Sequence, residues 1–332
     1  DLSSHNININ YPNPLLKSLA SKFEPSLKNN LATLVSNAQK KEKKKKSKWS
    51  SWSLGDIYFG DFDIHGFEKA KKIVSRGLTF GADRKFGNNK FFGWALRYGH
   101  QDSDRQGSVQ QTNMDSFTVN LYGIMPSNNN QYINAVLGLS SLHFNNLYNK
   151  KLSSERHGKQ LFTALNYRTK NTYGRFNITP SGKFIYGITN LEDYTDFISK
   201  TIDGPTTDVI YKDDTFESGE FVAGFLFEME QIKFDDGIFQ PMGAVEYLYN
   251  FTPGSDFEYS LQGSSTVNRE RISGKYSKES LKTNIGFEMI HSNGFTVSPM
   301  YERIFSLSRE SHKTFSERLT IKFSHSKEEN TQ

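Results

Sequence analysis

The chain has 332 residues, 41 Lys+Arg against 36 Asp+Glu and a net charge of +5. Seven lysines and one glutamate between Lys40 and Lys48 carry +6, leaving −1 for the other 323 residues and no distributed basic face for nucleic acid. Aromatics at 14% argue against disorder, no run approaches 18 apolar residues, and the absence of cysteine removes disulfides, thiol nucleophiles and cysteine-bound zinc.

The opening Asp1-Leu2-Ser3-Ser4 lacks a charged-then-apolar leader, so the sequence begins either in a cytoplasmic protein or inside a longer precursor. Leu16, Leu19, Phe23, Leu27, Leu31, Leu34 and Ala38 then recur at steps of three and four, one face of a helix. Pro25 interrupts the stripe and suits a first helical position, so a helix is expected from Pro25 to about Lys46. Its length would be about 33 Å, close to one bilayer. The Lys40–Lys48 run follows at its C-terminal end, where positive charge complements the helix dipole.

From Trp49 the period becomes two. Val74, Leu78, Phe80 and Ala82 alternate with small or polar residues, as do Phe92, Trp94, Leu96 and Tyr98, then Phe117, Val119 and Leu121. Similar segments near 133–141, 161–167, 176–186, 221–229, 241–251, 281–289, 295–305 and 315–323, with an opening one at 49–62, predict about twelve strands. Short turns are expected at Gly87-Asn88-Asn89, 127–130, 170–172, 235–237 and 292–294. Long polar loops are expected between them, at 65–71, 101–113, 145–159, 191–215, 252–277 and 308–314. Strict alternation of short and long connections is expected of an antiparallel transmembrane barrel with turns on one side and loops on the other.

One face of nearly every strand is apolar, with aromatics near the ends at Trp94, Tyr98, Tyr247 and Tyr249 as a girdle. The other carries small residues and Arg97, Glu228, Glu246, Glu288, Glu302, Arg318 and Lys322. An apolar outside and a polar inside is the reverse of a soluble ligand-binding barrel. Pro241 and Pro299 each remove a ladder donor and are expected near a rim.

Gly77-Leu-Thr-Phe-Gly-Ala-Asp83, followed by Phe92-Gly-Trp-Ala-Leu-Arg-Tyr98, resembles the first hairpins of the C-terminal translocator domain of Gram-negative autotransporters (type V secretion). The segments from Phe117 to Gly123 and from Phe239 to Tyr247 resemble later strands of that family. The resemblance spans about Pro14 to Phe323. It implies an all-β, twelve-stranded barrel in the bacterial outer membrane, with an N-terminal α-helix threading the pore. It also implies no cofactor, no nucleic-acid partner and a monomer. The expected partners are outer-membrane lipid and lipopolysaccharide, the barrel assembly machinery, periplasmic chaperones and the chain's own passenger. The corresponding domains are a passenger remnant or linker at 1–13, the pore helix and Lys-rich linker at 14–47, the barrel at 48–325 and a periplasmic tail at 326–332. Leu319, Ile321 and Phe323 stand where the family carries its assembly signal, although nine residues follow Phe323.

Asn29-Asn30-Leu31 resembles a self-cleaving asparagine pair of one autotransporter subgroup, in which lumen acids assist. Glu228, Glu246, Glu288 and Glu302 are the acids in question here. The plainer reading makes the pair ordinary polar residues opposite the leucines, and the lysine run a solvated segment at the periplasmic mouth. An outer-membrane enzyme such as a phospholipase finds little support. No Gly-x-Ser-x-Gly or Gly-x-x-x-x-Gly-Lys-Ser/Thr element appears, and His65 with Glu68 is a weak metal pair. A passive porin shares the strand pattern but has no use for residues 14–48.

Overall fold

The structure, a computed structural model, describes residues 49–62, 71–86, 90–105, 110–128, 130–148, 150–197, 207–252, 255–272, 278–292, 295–307 and 315–325. The expected helix, the residues before it and the tail at 326–332 lie outside the described residues.

Alternation of apolar and small or polar residues, punctuated by Gly, Asn and Asp, yields strands almost everywhere. The first six are β1 (Trp49–Phe62), β2 (Lys71–Phe86), β3 (Lys90–Arg105), β4 (Gln110–Asn128), β5 (Gln131–Tyr148) and β6 (Lys151–Thr169). There follow β7 (Asn171–Tyr173), β8 (Phe176–Leu191), β9 (Tyr194–Asp196), β10 (Val209–Tyr211), β11 (Asp214–Met229) and β12 (Ile232–Phe234). The last six are β13 (Gly237–Asn250), β14 (Ser255–Leu261), β15 (Val267–Ile272), β16 (Glu279–His291), β17 (Phe295–Ser306) and β18 (Phe315–His325).

Twelve of these form one closed antiparallel wall. Its order is β11-β13-β16-β17-β18-β1-β2-β3-β4-β5-β6-β8, and pairing of β8 with β11 completes the ring. Closure between β1 and β18 runs from Ser51↔His325 to Asp61↔Phe315. A closed ring leaves no unpaired edge, which is the condition for strands to cross a bilayer. Trp49, at the start of β1, pairs with Arg84 near the 87–89 connection, so the chain enters the barrel at the end carrying the short connections (the turn end).

Side chains obey the period of two. Outward positions are large and exposed, as at Leu78, Phe80, Tyr98, Phe117, Leu137, Leu139 and Phe225, while inward neighbours such as Thr79, Arg97, Thr118 and Ser140 are buried. Left in water, each outward Leu or Phe would forgo roughly 1.5–3 kcal/mol of burial, and lipid supplies that burial instead.

The opposite, loop end departs from the sequence expectation. Two of the expected long loops are strand. β3 runs to Arg105 and β4 starts at Gln110, while β5 and β6 are joined across residues 149–150, with Lys150 at φ 63°. The polar residues there are strand because the backbone ladder continues past the lipid-facing band, with the outward face polar and the inward face buried around Met114, Leu142 and Phe144. β4 and β6 reach 19 residues, against the 9–11 or so needed to cross. Two other expected loops contain strands: β9 and β10 lie within 191–215, β14 and β15 within 252–277. They form a separate four-stranded sheet in the order β15-β14-β10-β9, with Tyr194, Val209 and Tyr211 as its buried core. Arg156 fastens it to the wall, donating to the Glu192 and Lys212 carbonyls at 2.7 and 3.1 Å with its guanidinium over the Tyr194 ring.

At the turn end, β6 is followed by β7, which pairs back on β8, so the reversal comes at Gly174-Arg175 and not at 170–172. Pro180, Pro241 and Pro299 are each the fifth residue of their strands counted from the turn end. At Pro299 the ladder to β16 is interrupted between Gly286↔Met300 and Met289↔Val297.

Candidate functional site: the barrel lumen

The lumen is the enclosed polar space of this fold, and every second residue of each wall strand contributes to it. The Gly77-x-x-x-Gly81-x-Asp83 run of β2 has a physical reason there, because all three residues face inward in one file. A Cβ on Gly77 would lie 2.0 Å from the Arg97 guanidinium, and one on Gly81 would lie 2.3 Å from the Trp52 indole. Bare backbone at both positions lets large side chains of β3 and β1 lie across β2. Arg97, buried to 1%, grips Asp56 through two bonds of 2.7 and 3.2 Å and reaches Thr79 at 3.2 Å. The Trp52 indole N–H donates to the Tyr122 hydroxyl at 2.9 Å, and that hydroxyl donates to Asp83 at 2.9 Å. The motif is thus a clamp tying β1, β2, β3 and β4 together.

The arc from β8 through β13 to β18 is strongly charged. Lys183 bonds Glu246 at 2.5 Å, Lys282 bridges from Glu246 to Glu302 (3.6 Å to the latter), and Arg318 donates to Glu302 at 3.1 Å. Arg318 also lies over the Tyr58 ring, with its guanidinium carbon 5.2 Å from the centroid. The result is a file of alternating sign across β8, β13, β16, β17 and β18. Each ion in it is almost fully buried, a state tolerable only because every carboxylate faces a cation. Lys322 adds a further positive group near Glu288 and Asp83. An apolar patch of Trp52, Leu54, Phe91, Val136, Phe162 and Ile185 with their neighbours lies mainly on the other arc. The lumen wall therefore carries an apolar patch among charged groups, which on the β1–β6 arc include the Arg97–Asp56 pair.

Glu228, Glu246, Glu288 and Glu302 all face the lumen, buried to between 2% and 7% exposure, and Glu246 and Glu302 meet each other through Lys282. Asn29 and Asn30 lie outside the described residues. Trp94, Tyr98 and Tyr247 project outward, and Tyr249 is half-buried beneath the Lys278 ammonium. Leu319 and Phe323 face outward on β18, Ile321 between them less exposed. Lys183, Lys282, Asp56 and the Trp52–Tyr122 pair were not among the lumen residues expected from the sequence, and Asp83 stood there only as part of the glycine motif. The signal was present for Lys183, which has the opposite parity to the outward Phe184 and Tyr186.

The sequence profile of the autotransporter β-domain family matches residues 52–302, more than half of the chain. The chain belongs to the autotransporter β-domain family. Autotransporter β-domains also stand among the solved structures that share its fold. The translocator domain of NalP from Neisseria meningitidis has a TM-score of 0.59 at 12% identity, over 93% of this chain and 98% of that one. The β-domain of the Bordetella autotransporter BrkA has a TM-score of 0.60 at 13% identity, over 84% and 99%. The transport unit of AIDA-I from Escherichia coli has a TM-score of 0.59 at 11% identity, over 91% and 97%. Comparison with curated protein sequences gives no match. As an autotransporter β-domain the protein resides in the bacterial outer membrane, where it anchors a passenger and assists its passage to the cell surface. The turn end of the barrel is accordingly periplasmic and the loop end extracellular.

Proposed function

We propose that residues 14–47 thread the lumen and tether the passenger, of which residues 1–13 are the remnant, to the barrel from within. The observation that carries this is the point of entry: β1 starts at the periplasmic end, so the segment before Trp49 reaches the pore from below. A leucine-striped helix of about bilayer length suits a lumen that offers both an apolar patch and charged groups. Residues 326–332 remain as a periplasmic tail after β18. The outward Phe323 is the residue offered to the assembly machinery, with chaperones escorting the unfolded chain to it. In this reading, carried over from the family, translocation draws its free energy from passenger folding outside and from barrel assembly, not from catalysis in this chain.

Single-channel recording tests the reading. The intact chain should give low conductance that rises after deletion of residues 14–46. Large, steady conductance with those residues present would instead describe a porin. Backbone cleavage at Asn29-Asn30 is a finer part of the proposal, favoured by four carboxylates facing the lumen. It is set aside if Asn30→Ala leaves processing on a gel unchanged.

A further inference from the structure

On the outer wall of β2 to β6 a polar belt stands above the lipid-facing band. The last apolar or aromatic outward residues of the band are Leu78, Tyr98, Phe117, Leu139 and Leu161, all exposed, and on β5 and β6 Ser141 and Lys159 come next. Above these, Arg76, His100, Asp115, His143 and His157 stand directly opposite one another, strand to strand. Such a row lies where lipid headgroups begin, and it faces away from the pore.

Its contacts join it into a unit. His100 touches Asp115 through Nδ1 at 2.8 Å and Asp102 through Nε2 at 3.1 Å, and Arg76 reaches Asp102 at 3.7 Å. The Tyr98 hydroxyl donates to Asp115 at 2.6 Å. His143 and His157 bring their Nδ1 atoms to 3.1 Å with ring centroids 4.6 Å apart. Around the imidazoles stand Lys72 and Arg76 on β2, Asp102 and Asp104 on β3, Asp115 on β4, and Glu155 and Lys159 on β6. Three cations face four carboxylates, so the belt is slightly acidic with neutral imidazoles and basic once all three are protonated. Protonation of the row reverses the sign of the belt, and a positive belt attracts an anion where a negative one repels it. Proton uptake and anion uptake are thereby linked.

We propose that the imidazole row His100, His143 and His157, with Arg76 and Lys159, binds the phosphate group of an outer-leaflet lipid in a proton-dependent manner. Histidine is the side chain whose charge ordinarily changes between pH 5 and 8. Each positive charge added near a membrane surface strengthens association with anionic lipid by about fivefold.

The test uses the full chain in phosphatidylcholine nanodiscs containing phosphatidylglycerol with a photoreactive headgroup, whose phosphodiester keeps its charge over this range. Crosslinks are mapped by peptide mass spectrometry at pH 8 and pH 5.5. The yield on β3–β6 should rise about fivefold or more on acidification, and excess inorganic phosphate should leave it unchanged. His100→Gln/His143→Gln/His157→Gln should hold the yield at its pH 8 value. Should that variant not fold, His157→Gln alone, altering an exposed residue, must reduce the rise. A pH-independent yield, an equal rise with a phosphatidylcholine probe, a rise that survives loss of the histidines, or displacement by inorganic phosphate each overturns the proposal.

Discussion

Glu246→Gln is the most informative single change in the lumen. The carboxylate holds two ammonium groups, Lys183 and Lys282, whose side chains are only 3% and 7% exposed. Removing one partner of a buried pair while leaving the other costs about 3–5 kcal/mol. Lys282 keeps Glu302 at 3.6 Å, so the low end of that range, about 3 kcal/mol, is expected. Lys183→Met/Glu246→Gln removes one of the two ammonium groups as well and should recover at least half of that loss. Urea unfolding in lipid vesicles, followed by tryptophan fluorescence and by the gel shift between folded and unfolded barrel, measures both. Single and double variants of equal stability, with coupling below about 0.5 kcal/mol, would refute the idea that the ionic file is maintained by mutual neutralisation.

Two further outcomes are expected on the same assay. Gly81→Ala drives a methyl into the Trp52 ring and should cost about 1–3 kcal/mol, whereas Gly182→Ala, with nothing within 4 Å of the new carbon, should be far milder. Leu137→Arg, in the middle of the lipid-facing band, should cost about 2–4 kcal/mol, against roughly 0–1 for Tyr98→Arg at its border.

The barrel was legible because lipid on one side and a polar lumen on the other impose a period of two that few other settings sustain. β1 occupies the 49–62 segment its alternation outlined, and the inward placement of Arg97, Glu246 and Arg318 follows from the same parity. Polar stretches were the weak point. Gln101–Arg105 and Lys151–Lys159 look like loop because even their buried face is polar, as at Gln101, Ser103, Ser153, Ser154 and Arg156, while the backbone ladder continues. The Glu246 and Arg97 partners were beyond reach for a different reason. Lys183 and Glu246 are 63 residues apart and meet across the intervening β11, a matter of the registers of two ladders and not of any local pattern.

The seam between β1 and β18 also has a temporal side. Its partners, such as Ser51 and His325, lie at opposite limits of the described chain. No local hairpin can form that pairing, and loop closure over such a separation makes it a slow, late event. Until it forms, the molecule is an open sheet whose two bare edges invite the wrong neighbour. Correct assembly therefore requires two particular strands, the first and the last of the wall, to stay unpaired until both have reached the membrane.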